Sequence, residues 1–79
     1  MESAVRYEIK VLCYEGDHAG YAEIEGPLHV GKAYELSPCG NHHVLVRVEE
    51  TRSDVRAVFC GCEPNLQAAI ELAESEGYL

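Results

Sequence analysis

"VRAVFCGCEPNLQAAIELAESEGYL" (55–79) changes its hydrophobic period part-way through, and that change decides the fold class. Residues 55–60 read as a short apolar, β-branched strand. After "GCEPN" (61–65) the spacing lengthens: Leu66, Ala69, Ile70 and Ala73 recur at i, i+3, i+4 and i+7, one apolar stripe of an amphipathic helix. Pro64 and Asn65 supply start signals and Gly77 a stop. One helix therefore closes a chain whose earlier part has period two.

That period is clearest in "VRYEIKVLCYE" (5–15). Val5, Tyr7, Ile9, Val11 and Cys13 fall on one face and Arg6, Glu8 and Lys10 on the other, as a half-buried strand requires. "EGDHAG" (15–20) is a turn by its two glycines and Asp17, and "YAEIE" (21–25) is the returning arm. "GPLHVGKAYEL" (26–36) starts with a Gly-Pro breaker and carries Gly31 in its middle, which predicts two short extended pieces meeting at a bend or bulge. "HHVLVRVEE" (42–50) places Val44, Val46 and Val48 on one face, and "TRSD" (51–54) turns the chain into the fifth strand. The expected architecture is α+β: a curved antiparallel sheet of four to five strands with one C-terminal helix across its apolar face, in a single domain spanning 1–79.

At 79 residues such a domain buries only about 60% of the surface its unfolded chain exposes. A stability of roughly 4–12 kcal/mol leaves little to divert into a strained, water-excluding pocket, so a non-enzymatic role is expected. With 47% hydrophobic and 25% charged residues, the composition is that of a folded globular chain. "MESAVRYEIK" (1–10) has neither a basic nor an apolar signal region, and no apolar run approaches the roughly 20 residues of a membrane helix. A cytoplasmic location with no membrane contact is the resulting expectation. In that setting, reduced thiols or a metal are favoured over disulfides for the four cysteines.

"SPCGNHHVLV" (37–46) and "CGC" (60–62) carry the candidate chemistry. Cys39 and His42 stand two residues apart, the usual knuckle spacing, and Cys60 and Cys62 flank Gly61 twenty residues on. If strands 42–50 and 55–60 form a hairpin, both pairs reach the same end of the sheet as a Cys39/His42/Cys60/Cys62 zinc set. The single residue between Cys60 and Cys62 departs from the two to four of common finger spacing. A polar turn at Cys39, His42 and His43 with an incidental thiol is the plainer reading, and a disulfide from Cys39 to Cys60 or Cys62 is a further one. A cysteine–histidine nucleophile pair has no evident orienting third residue. Cys13 reads as a small buried hydrophobe.

Charge is the strongest functional feature. Fourteen acids against six bases leave a net charge of −8, which disfavours direct nucleic-acid binding. The glycines form no phosphate loop. Between Lys10 and Lys32 there is no cation, yet Glu15, Asp17, Glu23 and Glu25 occur; after Arg56 there is none, and Glu63, Glu71, Glu74 and Glu76 follow. Acids in a last helical turn face the negative end of the helix dipole, at a cost of about 0.3–1 kcal/mol. Their retention suggests a function: Glu15, Asp17, Glu23, Glu25, Glu71, Glu74 and Glu76 are the candidate partner-binding residues, directed at a protein with a basic surface. In size, acidity, lack of catalytic motifs and sheet-plus-helix pattern, the chain resembles the small phage-encoded inhibitors of bacterial defence, anti-CRISPR proteins among them. That resemblance implies a nucleic-acid mimic which occupies a basic groove of a nucleic-acid-binding complex. A zinc-stabilised module is the rival class. A subunit joined through its sheet edge or the Tyr14/Tyr21 region is the third.

Overall fold

The computed structural model describes residues 4–12, 20–36 and 40–79. Five strands and one helix follow in chain order: β1 (Ala4–Leu12), β2 (Gly20–Glu25), β3 (Ala33–Glu35), β4 (His42–Glu50), β5 (Val55–Glu63) and α1 (Leu66–Ser75). The fold is α+β, a curled five-strand sheet in the order β2-β1-β5-β4-β3, with the helix packed on it.

Three of the four pairings are antiparallel, as alternation and short turns require. The fourth is parallel: β1 lies alongside β5, with Ile9 opposite Ala57 and Val11 opposite Phe59. Two hairpins, β1–β2 and β4–β5, thus join through β1 and β5, and the sheet is mixed. Of segment 26–36 only Ala33–Glu35 is a strand. The stretch before it is a turn, where His29 accepts from the Lys32 amide and Gly31 takes φ +94°. The expected first extended piece is absent because Pro27 cannot donate to a ladder.

The two faces of the sheet are packed by different means. Ile9, Ala22, Ile24, Tyr34, Leu36, Leu45, Ala57 and Phe59 form one buried cluster. Because it draws on both edge strands, β2 and β3, it marks the inside of the curl: the most apolar face closes on itself as a half-barrel. Phe59 sits at its centre, edge-on to Tyr34 (6.1 Å between centroids) and to the buried His43 (6.0 Å). Fully burying such a side chain stabilises the fold by about 1.5–3 kcal/mol.

The helix therefore packs on the outer face, against β5, β4 and β3. Its contact stripe is made of small residues, Ala69 and Ala73 against Val44 and Ala33. Leu66, expected in the stripe, is half exposed at the helix start. The helix ends follow their signals. Asn65 accepts from the Ala68 amide at 2.8 Å, and Gly77, at φ +85°, lets the Tyr78 and Gly77 amides reach the Ala73 and Glu74 carbonyls.

Two bulges correct the expected register of β4. Between Val44↔Cys60 and His42↔Glu63 the extra residue is on β5; between Leu45↔Phe59 and Arg47↔Val58 it is on β4, at Val46. Val44 consequently faces out under the helix, whereas Val48, opposite Ala57, belongs to the inner face at its open end and is 43% exposed. The single valine face expected for 44, 46 and 48 is split.

Candidate functional site

The cysteine–histidine constellation resolves into structural roles where it is described. Gly61 takes φ +80°, and a Cβ there would stand 2.5 Å from Leu72 Cδ2. The glycine of "CGC" thus suits the left-handed backbone of a bulge lying directly under the helix. Cys60 is fully buried opposite Val44, and Cys62 accepts a hydrogen bond from Asn41 Nδ2 at 3.3 Å. His42 stands between Glu35 and Glu63 in the ladder, and His43 is buried against Phe59; both belong to a strand and not to a polar turn. Cys39 lies outside the described residues, as does Cys13. Among the described residues, His42, Cys60 and Cys62 included, no three His, Cys, Asp or Glu side chains converge on a point that could hold a metal ion.

Of the acidic candidates, Glu15 and Asp17 also lie outside the described residues. Glu23 and Glu25 are exposed on β2, alternating with the buried Ala22 and Ile24. Glu71, Glu74 and Glu76 are exposed on and just after α1, where Glu71 accepts from Gln67 Nε2 at 3.1 Å. The helix carries no cation in its last turn. The two groups lie on separate elements, one at a sheet edge and the other on the helix.

Four of the cations meet carboxylates or rings, and Arg6 stands opposite Glu23 in the β1–β2 pairing. Arg56 reaches Glu8 (3.2 Å) and Glu49 (3.4 Å), and Arg47 reaches Glu49 (2.7 Å), a ladder across the end of the outer face that the helix leaves open. The Arg47 guanidinium, followed by that of Arg56, holds the Glu49 carboxyl below its ordinary range, and Glu8 raises Arg56. Arg6 lies over the Tyr21 ring at 4.6 Å and Lys32 near the Tyr34 ring at 5.4 Å.

Those last two pairs flank a concavity. Since the half-barrel does not close, β2 and β3 face each other across a seam of about 710 Å³, lined by Arg6, Tyr21, Glu23, Glu25, Lys32 and Glu35, with Ala22, Ile24 and Tyr34 at its floor. Its volume lies within the roughly 300–1,000 Å³ of ligand clefts. Both bordering strands are sheet edges, so their outward N–H and C=O groups have no ladder partner among the described strands. The side chains that line it come from opposite ends of the strand order. Sequence reading found Glu23 and Glu25 but missed Arg6, Lys32, Tyr34 and Glu35. The local signal was Lys32 two residues before Tyr34; Arg6 and Tyr21 meet only through the β1–β2 pairing.

No helix among the described residues is long and apolar enough to cross a membrane. Compared with protein-family models, with curated proteins and with solved structures, the chain shows no match, and its functional reading rests on its own residues.

Proposed function

We propose that the protein is a non-enzymatic binder which docks through acidic surface onto a basic protein, in its sharpest form a nucleic-acid-binding complex whose basic groove it blocks in the manner of an anti-CRISPR inhibitor. The observation that carries this reading is the partition of charge. Four of the six cations, Arg6, Lys32, Arg47 and Arg56, are engaged with rings or carboxylates of the sheet. Glu23 and Glu25 at the sheet edge, and Glu71, Glu74 and Glu76 on the helix, remain at the exposed surface. An arrangement that concentrates one sign of charge on a rigid scaffold accelerates association with an opposite surface. Carboxylates at the C-terminal end of a helix oppose its dipole, a local cost that a binding role explains.

The test is affinity capture of the partner at low and at raised salt, followed by competition against a labelled oligonucleotide for the captured complex. The reading expects capture that weakens as salt screens the opposed charges, and oligonucleotide displaced as the protein is added. Capture indifferent to salt, with oligonucleotide binding undisturbed, would overturn it.

A further inference from the structure

The seam between β2 and β3 has a more specific geometry than an acidic patch. Following the pairings from strand to strand, β1 and β5 run one way, β2 and β4 the other, and β3 returns to the direction of β1. The two bordering edges are therefore antiparallel to each other. A single inserted strand would lie antiparallel to one and parallel to the other, and would extend the half-barrel by one strand. β2 offers the longer edge, six residues against three. Along it, Ala22 and Ile24 face the inner cluster while Tyr21, Glu23 and Glu25 face outward; across the seam Tyr34 faces inward and Glu35 outward.

The period of two in any paired strand then dictates what fits. Side chains pointing into the curl meet Ala22, Ile24 and Tyr34, so they must be apolar. Those pointing out meet Glu23, Glu25 and Glu35, three carboxylates. The two cations on the lining, Arg6 and Lys32, lie on tyrosine rings. We propose that the seam accepts an extended basic segment of a partner protein, about six residues alternating apolar with lysine or arginine, which pairs its backbone with the free edge of β2. Resting on the acidic-binder reading, the inference specifies which acidic surface is used, and by what chemistry. Main-chain pairing gives such a complex its affinity, and the alternation of pockets its specificity.

The probe is a fluorescein-labelled hexapeptide of alternating lysine and valine, titrated into the full chain and followed by anisotropy, with amide shifts recorded by NMR. Binding should perturb the amides of Gly20–Glu25 and Ala33–Glu35. A peptide of the same sequence with alternate backbone amides methylated keeps its charge but cannot complete the ladder, and should bind at least about tenfold more weakly. Replacing its lysines by glutamates should have a similar or larger effect. The double variant Glu23→Lys/Glu25→Lys should weaken the parent peptide at least about tenfold, whereas Glu71→Lys/Glu74→Lys should leave it within about twofold. The β2 reversals are at exposed positions, and a thermal melt establishes that the fold survives them.

Equal binding of the methylated peptide, or loss only with the helix reversal, would overturn the seam while leaving the acidic binder standing. A concentration-dependent dimer whose formation shifts the β2 amides would overturn it in favour of a second copy at the edge. No peptide binding, together with salt-indifferent capture of the partner, would remove both.

Discussion

The β4–β5–α1 corner and the β2–β3 seam belong to the same sheet and are built in opposite ways. At the corner, Val44, Leu45, Val58, Phe59, Cys60, Ala69 and Ala73 are all fully buried, and a Cβ at the left-handed Gly61 would stand 2.5 Å from Leu72 Cδ2. At the seam, Val5 and Tyr21 are about half exposed, the bordering strand β3 has three residues, and charged side chains line the opening. Close packing makes the corner intolerant of change. The seam packs on its inner side alone, through Ala22, Ile24 and Tyr34, and its outward backbone groups have no ladder partner among the described strands.

The sharpest way to break that contrast is Phe59→Ala. The ring touches Tyr34 and His43 inside a cluster that spans all five strands, so its loss should cost about 3–5 kcal/mol in denaturant unfolding, enough to unfold much of the population. A cost comparable to that of a seam residue such as Tyr21→Ala would mean that the corner is not the stabilising half.

Next in size is Gly61→Ala. The left-handed φ and the close approach of Leu72 should together destabilise by about 1–3 kcal/mol. The double variant with Leu72→Ala should recover the steric part and leave the conformational part, and a double-mutant cycle measures the coupling. Strict additivity would show that the helix does not rest on the bulge. Asn65→Ala removes the side-chain acceptor for the Ala68 amide and should cost about 1 kcal/mol.

Much of this was legible in the sequence, and the failures have physical causes. The strands of β1, β2, β4 and β5 are written in alternation, and both helix ends in Asn65 and Gly77. The parallel β1–β5 pairing is not, because residues Glu8 and Arg56 are neighbours only in space. Period-two reading also fails across a bulge, which is why Val44 and Val48 part company. The helix stripe was misplaced at Leu66 because size was weighted over position: an approach close enough to crowd Gly61 admits alanines. The glycine between Cys60 and Cys62 answers to the bulge and to the helix above it, which spacing alone does not reveal, and Cys39 lies outside the described residues. As for the site, Glu23 and Glu25 were found by charge counting, but the seam depends on two edges meeting through curvature, which no local pattern encodes.

The smallest effects belong to the charged outer surface. Glu71→Lys/Glu74→Lys should leave stability unchanged or raise it by a few tenths of a kcal/mol, since cations better match the C-terminal end of the helix dipole. A clear loss in thermal unfolding would show that these acids are structural. For Glu49, whose folded pKa is depressed, the stabilisation is present above the ordinary carboxylate range and is lost as pH falls through the folded value. Arg56, with its pKa raised, loses its contribution only in strong alkali. Glu49→Gln should therefore lower stability slightly at neutral pH and flatten part of the acid limb of a stability–pH curve, converging with the parent in strong acid. The pair is half exposed, and salt should shrink the difference.

The parallel contact between β1 and β5 also sets an order of events for the folding chain. The β1–β2 hairpin is local and closes on the microsecond scale, but its inner side stays bare until residues 56–60 have been made and brought back across more than forty intervening positions. The β4–β5 hairpin forms independently, so the slow step is the docking of two preformed hairpins. Such non-local closure should make the domain fold more slowly than a helical bundle of the same length. Until it happens, the strand carrying Ile9 and Val11 presents an unsatisfied apolar edge, and a growing chain stalled before residue 56 is the form most exposed to aggregation.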